Sequence, residues 1–195
     1  MSLFFRSLKI SFMALCFLTL LLGVAYPLLM WGIGELFFHK SANGSLLYRK
    51  DGSVLGSEWI AQRFTEDKYF QPRPSSAGYD AAHSSASNLG PTSQSLISAV
   101  EQRTRAYRIQ NSWSGAIPVD AVTGSGSGLD PHISVENARI QSTRVAKARG
   151  LSPDQIDKLI QKHTEGPSLG LFGEKRINVL RINLALDNDG RREKT

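Results

Sequence analysis

The 195-residue chain carries 23 Lys and Arg against 17 Asp and Glu, a formal net charge of +6, with 41% hydrophobic residues and one cysteine. The lone Cys16 lies in an apolar run, which excludes a disulfide or a cysteine-based metal site from the rest of the chain. The basic excess is spread out rather than gathered into a stripe, which counts against nucleic-acid binding.

Ile10 to Gly34 is free of Asp, Glu, Lys, Arg and His. As a helix it would reach roughly 37 Å, enough to cross a hydrocarbon core of about 30 Å. The reading is therefore a short tail over 1–9, a transmembrane helix over 10–34 and a soluble domain over 40–195, with Trp31, Phe37 and Phe38 as interfacial aromatics. A cleaved signal peptide ending near Gly23-Val24-Ala25 is the competing reading, but the apolar run continues well past a short h-region. Pro27 removes one backbone donor and is expected to kink the span, a feature better tolerated beside protein than in lipid alone. Arg6 and Lys9 before the span face Lys40, Arg49 and Lys50 after it. The denser charge on the short N-terminal side favours a cytoplasmic N-terminus and an external domain.

Beyond the membrane, Leu46–Lys50 and Ser53–Leu55 flank Asp51-Gly52, which predicts a hairpin with a two-residue turn. Residues 71–95 are rich in Ser, Pro, Gly, Ala and Asn and read as one long loop. From Ser93 to about Gln110, the positions Leu96, Ile97, Val100 and Tyr107 share a helical face. Arg103, Arg105 and Arg108 beside Tyr107 read as a solvated face of that helix, or as a contact for anionic lipid or an acidic partner. Val135, Ala138, Ser142, Val145 and Ala146 mark a second helix, with Ile140 pointing away and Gly150 as its left-handed stop. Ser152, Pro153 and Gln155 form a capping box for a third, with Leu151 and Ile156 as hydrophobic staple and His163 near its C-terminal carbonyls. Leu180, Ile182, Leu184 and Leu186 alternate with Arg181, Asn183 and Ala185, which predicts a closing strand sharing a sheet with the hairpin. The fold class is α+β: one N-terminal transmembrane helix followed by a small soluble α+β domain.

The stretch Gly124-Ser125-Gly126-Ser127-Gly128-Leu129-Asp130-Pro131-His132-Ile133-Ser134 invites a chemical reading. It matches no phosphate loop, because the chain has no Gly-Lys dipeptide. It fails the dinucleotide fingerprint at Leu129, and Gly126 stands where a nucleophile elbow needs serine. Ser127, Asp130 and His132 are triad residue types, yet too close in sequence to line up. His83, His132 and His163 are too scattered for a metal. What remains is a glycine-rich turn, Pro131 and a Ser134 helix cap. The crowd of small residues suits either a buried crossing of backbones or a flat surface closely approached by another protein.

Several segments together resemble a known family: Gly23-Val24-Ala25-Tyr26-Pro27-Leu28-Leu29, Ala42-Asn43-Gly44-Ser45-Leu46, Tyr69-Phe70-Gln71-Pro72-Arg73-Pro74-Ser75 and Ser87-Asn88-Leu89-Gly90-Pro91-Thr92. Val122 to Ser134, Arg144 to Arg149, Asn178-Val179-Leu180 and Asn183 to Asp187 complete the series. In this order they resemble the KdpC family of the potassium-transporting P-type ATPase, with Gly124 standing where alanine is more usual.

The resemblance implies a single-pass subunit of a bacterial inner-membrane complex, without catalytic residues or metal of its own. Its implied partners are a potassium-channel-like subunit, the ATP-hydrolysing P-type subunit and the lipid bilayer, with no nucleic acid. Two roles follow from it. In one, the domain stabilises the complex from outside the membrane; in the other it is a catalytic chaperone sharing ATP with the hydrolysing subunit, with Ser125 and Ser127 as the nucleotide contacts. Expected subunit-interface residues are Tyr26, Pro27, Asn88, Gly90, Pro91, Ser127, Gly128, Leu129 and Asp130. A membrane-anchored extracytoplasmic hydrolase and a pilin-like structural protein stand as alternatives from other classes.

Overall fold

The computed structural model describes residues 3–49 and 51–192, with side chains through residue 188. The chain divides into a unit of residues 1–46 and a unit of residues 47–195.

In the first unit, α1 (Leu3–Leu20) runs through a π-helical segment (Leu21–Ala25) into α2 (Tyr26–Phe37), followed by the short α3 (His39–Ala42). Together Leu3–Phe37 form one helix long and apolar enough to cross a membrane, with none of its most apolar window buried. The expected distortion at Pro27 takes the form of the π segment. A prolyl ring clashes with the carbonyl four residues back, and widening the turn moves that carbonyl aside.

Next in the chain come β1 (Leu46–Tyr48) and β2 (Val54–Ser57), which pair as a two-stranded sheet. The Arg49 N–H donates to Ser53 O at 2.8 Å and the Gly52 N–H to Arg49 O at 3.0 Å, with Gly52 at φ 81°. The connection is thus a longer loop ending in a left-handed glycine rather than the two-residue turn the sequence predicts.

A segment with neither helix nor strand then runs to α4 (Gln94–Asn111). After it come α5 (Val119–Val122), β3 (His132–Ser134), α6 (Val135–Arg149), α7 (Pro153–Lys162), β4 (Thr164–Glu165), β5 (Arg176–Asn178) and α8 (Val179–Arg192). The three short strands form an antiparallel sheet in the order β3-β5-β4, with Ile133 and Thr164 both in register with Ile177. Phe70, Ile133, Val145, Ile156, Ile160, Ile177, Ile182 and Leu186 fill one core between sheet and helices.

The helix boundaries follow their caps. Ser134 Oγ accepts from Asn137 N–H at 3.1 Å to start α6, and Gly150 at φ 67° stops it. Ser152 and Gln155 close the expected capping box on α7, and Leu151 packs against the core that contains Ile156.

Three expectations are corrected. The closing strand is the helix α8, whose buried residues Val179, Leu180, Ile182, Asn183 and Leu186 fall within one broad face at helical spacing. Asn178 caps it, its Oδ1 accepting from Arg181 N–H at 3.1 Å. Among the described residues, the hairpin consequently shares no sheet with the C-terminal segment. Ile140 is buried, not turned away, because α6 is covered on more than one side.

Candidate functional site

The chain from α5 to α6 is built on one carboxylate. Asp120 accepts from Ser134 N–H (2.8 Å), Ser134 Oγ (2.9 Å) and Asn137 Nδ2 (3.0 Å), so both ends of the glycine-rich stretch are tied together. Within it, Gly128 N–H closes a turn on Ser125 O at 3.2 Å, with Gly128 at φ 68°.

That turn crosses the long loop of the same chain. Ser85 N–H and Ser84 Oγ donate to Ser127 O (3.0 and 3.1 Å), Ser75 Oγ donates to Gly128 O (2.6 Å), and Ala61 N–H donates to Leu129 O (2.8 Å). A Cβ on Gly128 would stand 2.6 Å from Ser85 O and 2.9 Å from the Ala77 Cβ, so only glycine fits. Of the two uses of small residues weighed from the sequence, the structure shows the buried crossing of backbones.

Beside the turn, Asp130 is held from two sides. Arg73 Nη1 approaches Oδ2 at 3.1 Å, while His132 presents its N–H (3.0 Å) and Nδ1 (3.1 Å) to Oδ1. Burial raises the carboxyl, but the His132 hydrogen bonds and the charges of His132 and Arg73 more than offset it and hold Asp130 below its ordinary value. His132 Nε2 lies 3.8 Å from Glu165 Oε2, and Glu165 in turn meets Arg176 (3.4 Å) and Arg181 (3.3 Å). Arg181 also pairs with the buried Glu58, and the Trp59 ring lies 5.9 Å from that of His132. Among the described residues, the buried side-chain atoms without a hydrogen-bond partner are His132 Nε2 and Arg73 Nε, both on residues bonded to Asp130. A groove of about 730 Å³ runs past Arg73, Asp120, Asp130, His132 and Arg176.

Among the described residues, no hydroxyl or thiol is hydrogen-bonded to the His132 ring beside Asp130. The buried Nε2 faces Glu165 rather than Ser127, whose Oγ accepts from Leu129 N–H at 3.1 Å. A triad of Ser127, Asp130 and His132 is not assembled.

The other singled-out residues separate. Ser125 is buried, with its Oγ 3.5 Å from both Ser127 Oγ and Asp130 N. Gly126 and Ser127 are exposed, Gly128 is buried, and Leu129 and Asp130 are half-buried. Asn88, Gly90 and Pro91 are exposed on the stretch leading to α4. Tyr26 and Pro27 begin α2, where Tyr26 is exposed. Arg103 donates to Val122 O at 3.2 Å and the half-buried Tyr107 OH donates to Asn137 Oδ1 at 2.8 Å, so these two α4 residues bind their own fold. Burial and the nearby Asp120 carboxylate push the Tyr107 hydroxyl well above its ordinary value.

Sequence reasoning missed the residues that hold the long loop. Arg144 is buried and donates to Asn111 Oδ1 (3.0 Å), Asp67 O (2.6 Å), Tyr69 O (3.0 Å) and Gln141 Oε1 (2.9 Å). Gln141 pairs with both backbone groups of Gln71, at 2.7 and 3.1 Å, and Asn178 Nδ2 donates to Glu58 O at 2.7 Å. Their signal in the sequence is a set of polar side chains, Gln141, Arg144 and Asn178, set among apolar neighbours such as Ile140, Val145, Ile177 and Val179.

These features define a class: a small α+β unit whose long loop is fastened by buried amides, headed by one helix able to span a membrane. The family described as "KdpC: K+-transporting ATPase, c chain" matches residues 8–188. Proteins named "Potassium-transporting ATPase KdpC subunit" are similar along nearly the whole chain. That of Mycobacterium tuberculosis is 55% identical over 186 residues, covering 93% of this chain and 98% of its own. The Cereibacter sphaeroides protein is 50% identical over 183 residues (94% and 97%), and that of Rhodospirillum rubrum 51% identical over 185 (93% and 95%). The chain belongs to the KdpC family of potassium-transporting ATPase subunits. Its role in potassium transport is accordingly that of an accessory subunit, and its one candidate span fits a single-pass membrane protein.

Proposed function

We propose that the chain is a non-catalytic subunit that stabilises the potassium-transporting complex from outside the membrane, with the channel-like and ATP-hydrolysing subunits as partners. The external side rests on the denser charge on the short N-terminal tail, and the observation that carries the stabilising role is the use made of the glycine-rich stretch. Its backbone oxygens at Ser127, Gly128 and Leu129 are taken by the chain's own loop, and its carboxylate by Arg73 and His132. A stretch so occupied builds a rigid shape and leaves a small exposed rim, Gly126 and Ser127, for close approach by another protein.

The nucleotide-chaperone role is the less favoured reading. It needs hydroxyls and amides free to reach a phosphate held elsewhere, whereas Ser125 is buried. Only Ser127 remains as an exposed hydroxyl of the pair; it accepts from Leu129 N–H and keeps a single O–H to donate, one donor where a shared phosphate needs several.

The test is Gly126→Trp in the assembled complex. A Cβ there meets nothing within 4 Å, so the fold of the chain tolerates the change while the rim becomes bulky. Potassium uptake and co-purification of the other subunits fall, with the melting temperature of the full-length chain in detergent unchanged. Full uptake and full assembly with tryptophan in place would refute the interface. A loss of apparent ATP affinity on Ser127→Ala, with assembly intact, would support the chaperone role instead.

A further inference from the structure

The apolar helix has a gap in its own hydrogen bonding just before Pro27. In the π segment the Tyr26 N–H donates to Leu21 O, five residues back. Leu22 O thereby loses the donor that an α-helix gives it four residues on. The next residue that could serve, five on, is Pro27, which has no N–H. Leu22 O is bypassed by both helical registers.

Nothing nearby on the chain replaces that donor. Side chains on a helix lean toward its N-terminus while carbonyls point toward its C-terminus, so the hydroxyl of Thr19, one turn earlier, is directed away from it. Among the described residues, no side chain donates to Leu22 O. Beside it, Gly23 leaves the backbone open: a Cβ there would find only the Thr19 methyl, at 3.8 Å. Leu22 is also the middle residue of the charge-free run Ile10–Gly34, so the bare carbonyl lies at the depth where water is scarcest.

Three occupants can be weighed. Acyl chains offer no hydrogen-bond donor. A second copy crossing in parallel about a two-fold axis would bring Leu22 O against Leu22 O, two acceptors with nothing between them. A helix of another chain can bring a hydroxyl or amide N–H to this depth, and Gly23 lets it come close.

We infer that Leu22 O, bared beside Gly23, is the docking point for a transmembrane helix of another subunit of the complex, one that presents a hydroxyl or amide donor at mid-membrane depth. The inference rests on the chain being a subunit of that complex and adds which backbone atom the partner recognises and by what chemistry. Pro27 is then the residue that creates the site, by withholding its N–H, and Gly23 the residue that gives access to it.

The experiment uses the tagged full-length chain in cells producing the whole complex. Pro27→Ala restores the missing donor, and Gly23→Leu blocks approach without disturbing the helix; Gly32→Leu, also unobstructed, serves as the control. Co-purification of the partner subunits falls roughly three- to tenfold for the first two variants, the size expected of one interhelical contact in a bilayer, and stays at the wild-type level for the third. A photo-crosslinking residue at position 22 is joined to another subunit of the complex, identified by mass. Wild-type recovery of both Pro27→Ala and Gly23→Leu, or a crosslink at 22 to a second copy of this chain or to lipid alone, would overturn the inference. Failure of even the wild-type chain to co-purify would instead strike at its reading as a subunit.

Discussion

Asn183 and Phe70 pair as if they were neighbouring strand residues. Phe70 N–H donates to Asn183 Oδ1 and Asn183 Nδ2 donates to Phe70 O, each at 2.9 Å, and both residues are fully buried. A loop can be buried only if its backbone groups are satisfied, and here side-chain amides do what a sheet would otherwise do. Asn183→Leu keeps the branched shape but strands both backbone groups of Phe70. It is expected to lower the stability of the full-length chain by about 2–4 kcal/mol, measured by thermal or denaturant unfolding in detergent; a loss below about 0.5 kcal/mol would show that water replaces the amide.

Arg144 extends the same device to the start of the loop. Its guanidinium is buried among carbonyls and amides, and burial lowers its pKa. Arg144→Lys keeps the charge but not the fork that reaches Asn111, Asp67, Tyr69 and Gln141 together. Amide hydrogen exchange over residues 67–71 should accelerate by tenfold or more while α7 stays protected. Unchanged exchange there would mean that the loop holds without the fork.

Gly128 and Gly126 should respond in opposite ways to one methyl group. Gly128→Ala meets Ser85 O and a positive φ, and is expected to cost about 2–3 kcal/mol. Gly126→Ala meets nothing and is expected to be neutral within about 0.5 kcal/mol. Limited proteolysis across 75–90 reads the difference, because the loop loses its seat only in the first variant.

Much of this architecture is legible in the chain wherever local chemistry decides the outcome. Ser152-Pro153-Asp154-Gln155 and Gly150 fix helix ends through contacts a few residues apart, and the apolar run fixes the span. The last element reads as a strand because Asn183, one of its buried positions, is polar and its partner Phe70 is far away in sequence. With Asn183 counted as exposed, Leu180, Ile182, Leu184 and Leu186 alternate like a strand; with it counted as buried, Val179, Ile182, Asn183 and Leu186 trace a helix. Asn178 directly before Val179 is a readable cap signal. At the glycine-rich stretch the residue types point to close approach, but what approaches, the loop at Ser75–Ser85, is a long-range fact.

Acid should test the Asp130 cluster. Its carboxyl is held below the ordinary value of 3.8, so the folded chain binds this proton less readily than the unfolded one. The stability it supplies is complete above that value and is lost as pH falls through the lower folded value. Asp130→Asn should therefore flatten the stability profile below about pH 4 and leave its slope near neutral pH unchanged. An acid limb identical to wild type would show that Arg73 and His132 do not favour the carboxylate.

The most direct test of an external, stabilising domain is its side of the membrane. With Cys16→Ser in place, Ser87→Cys puts one thiol on an exposed part of the long loop. Intact cells are treated with a membrane-impermeant maleimide, with denatured protein as the reactivity control. Labelling of intact cells is the predicted result; labelling only after the inner membrane is permeabilised would contradict the account and place the domain with cytoplasmic ATP.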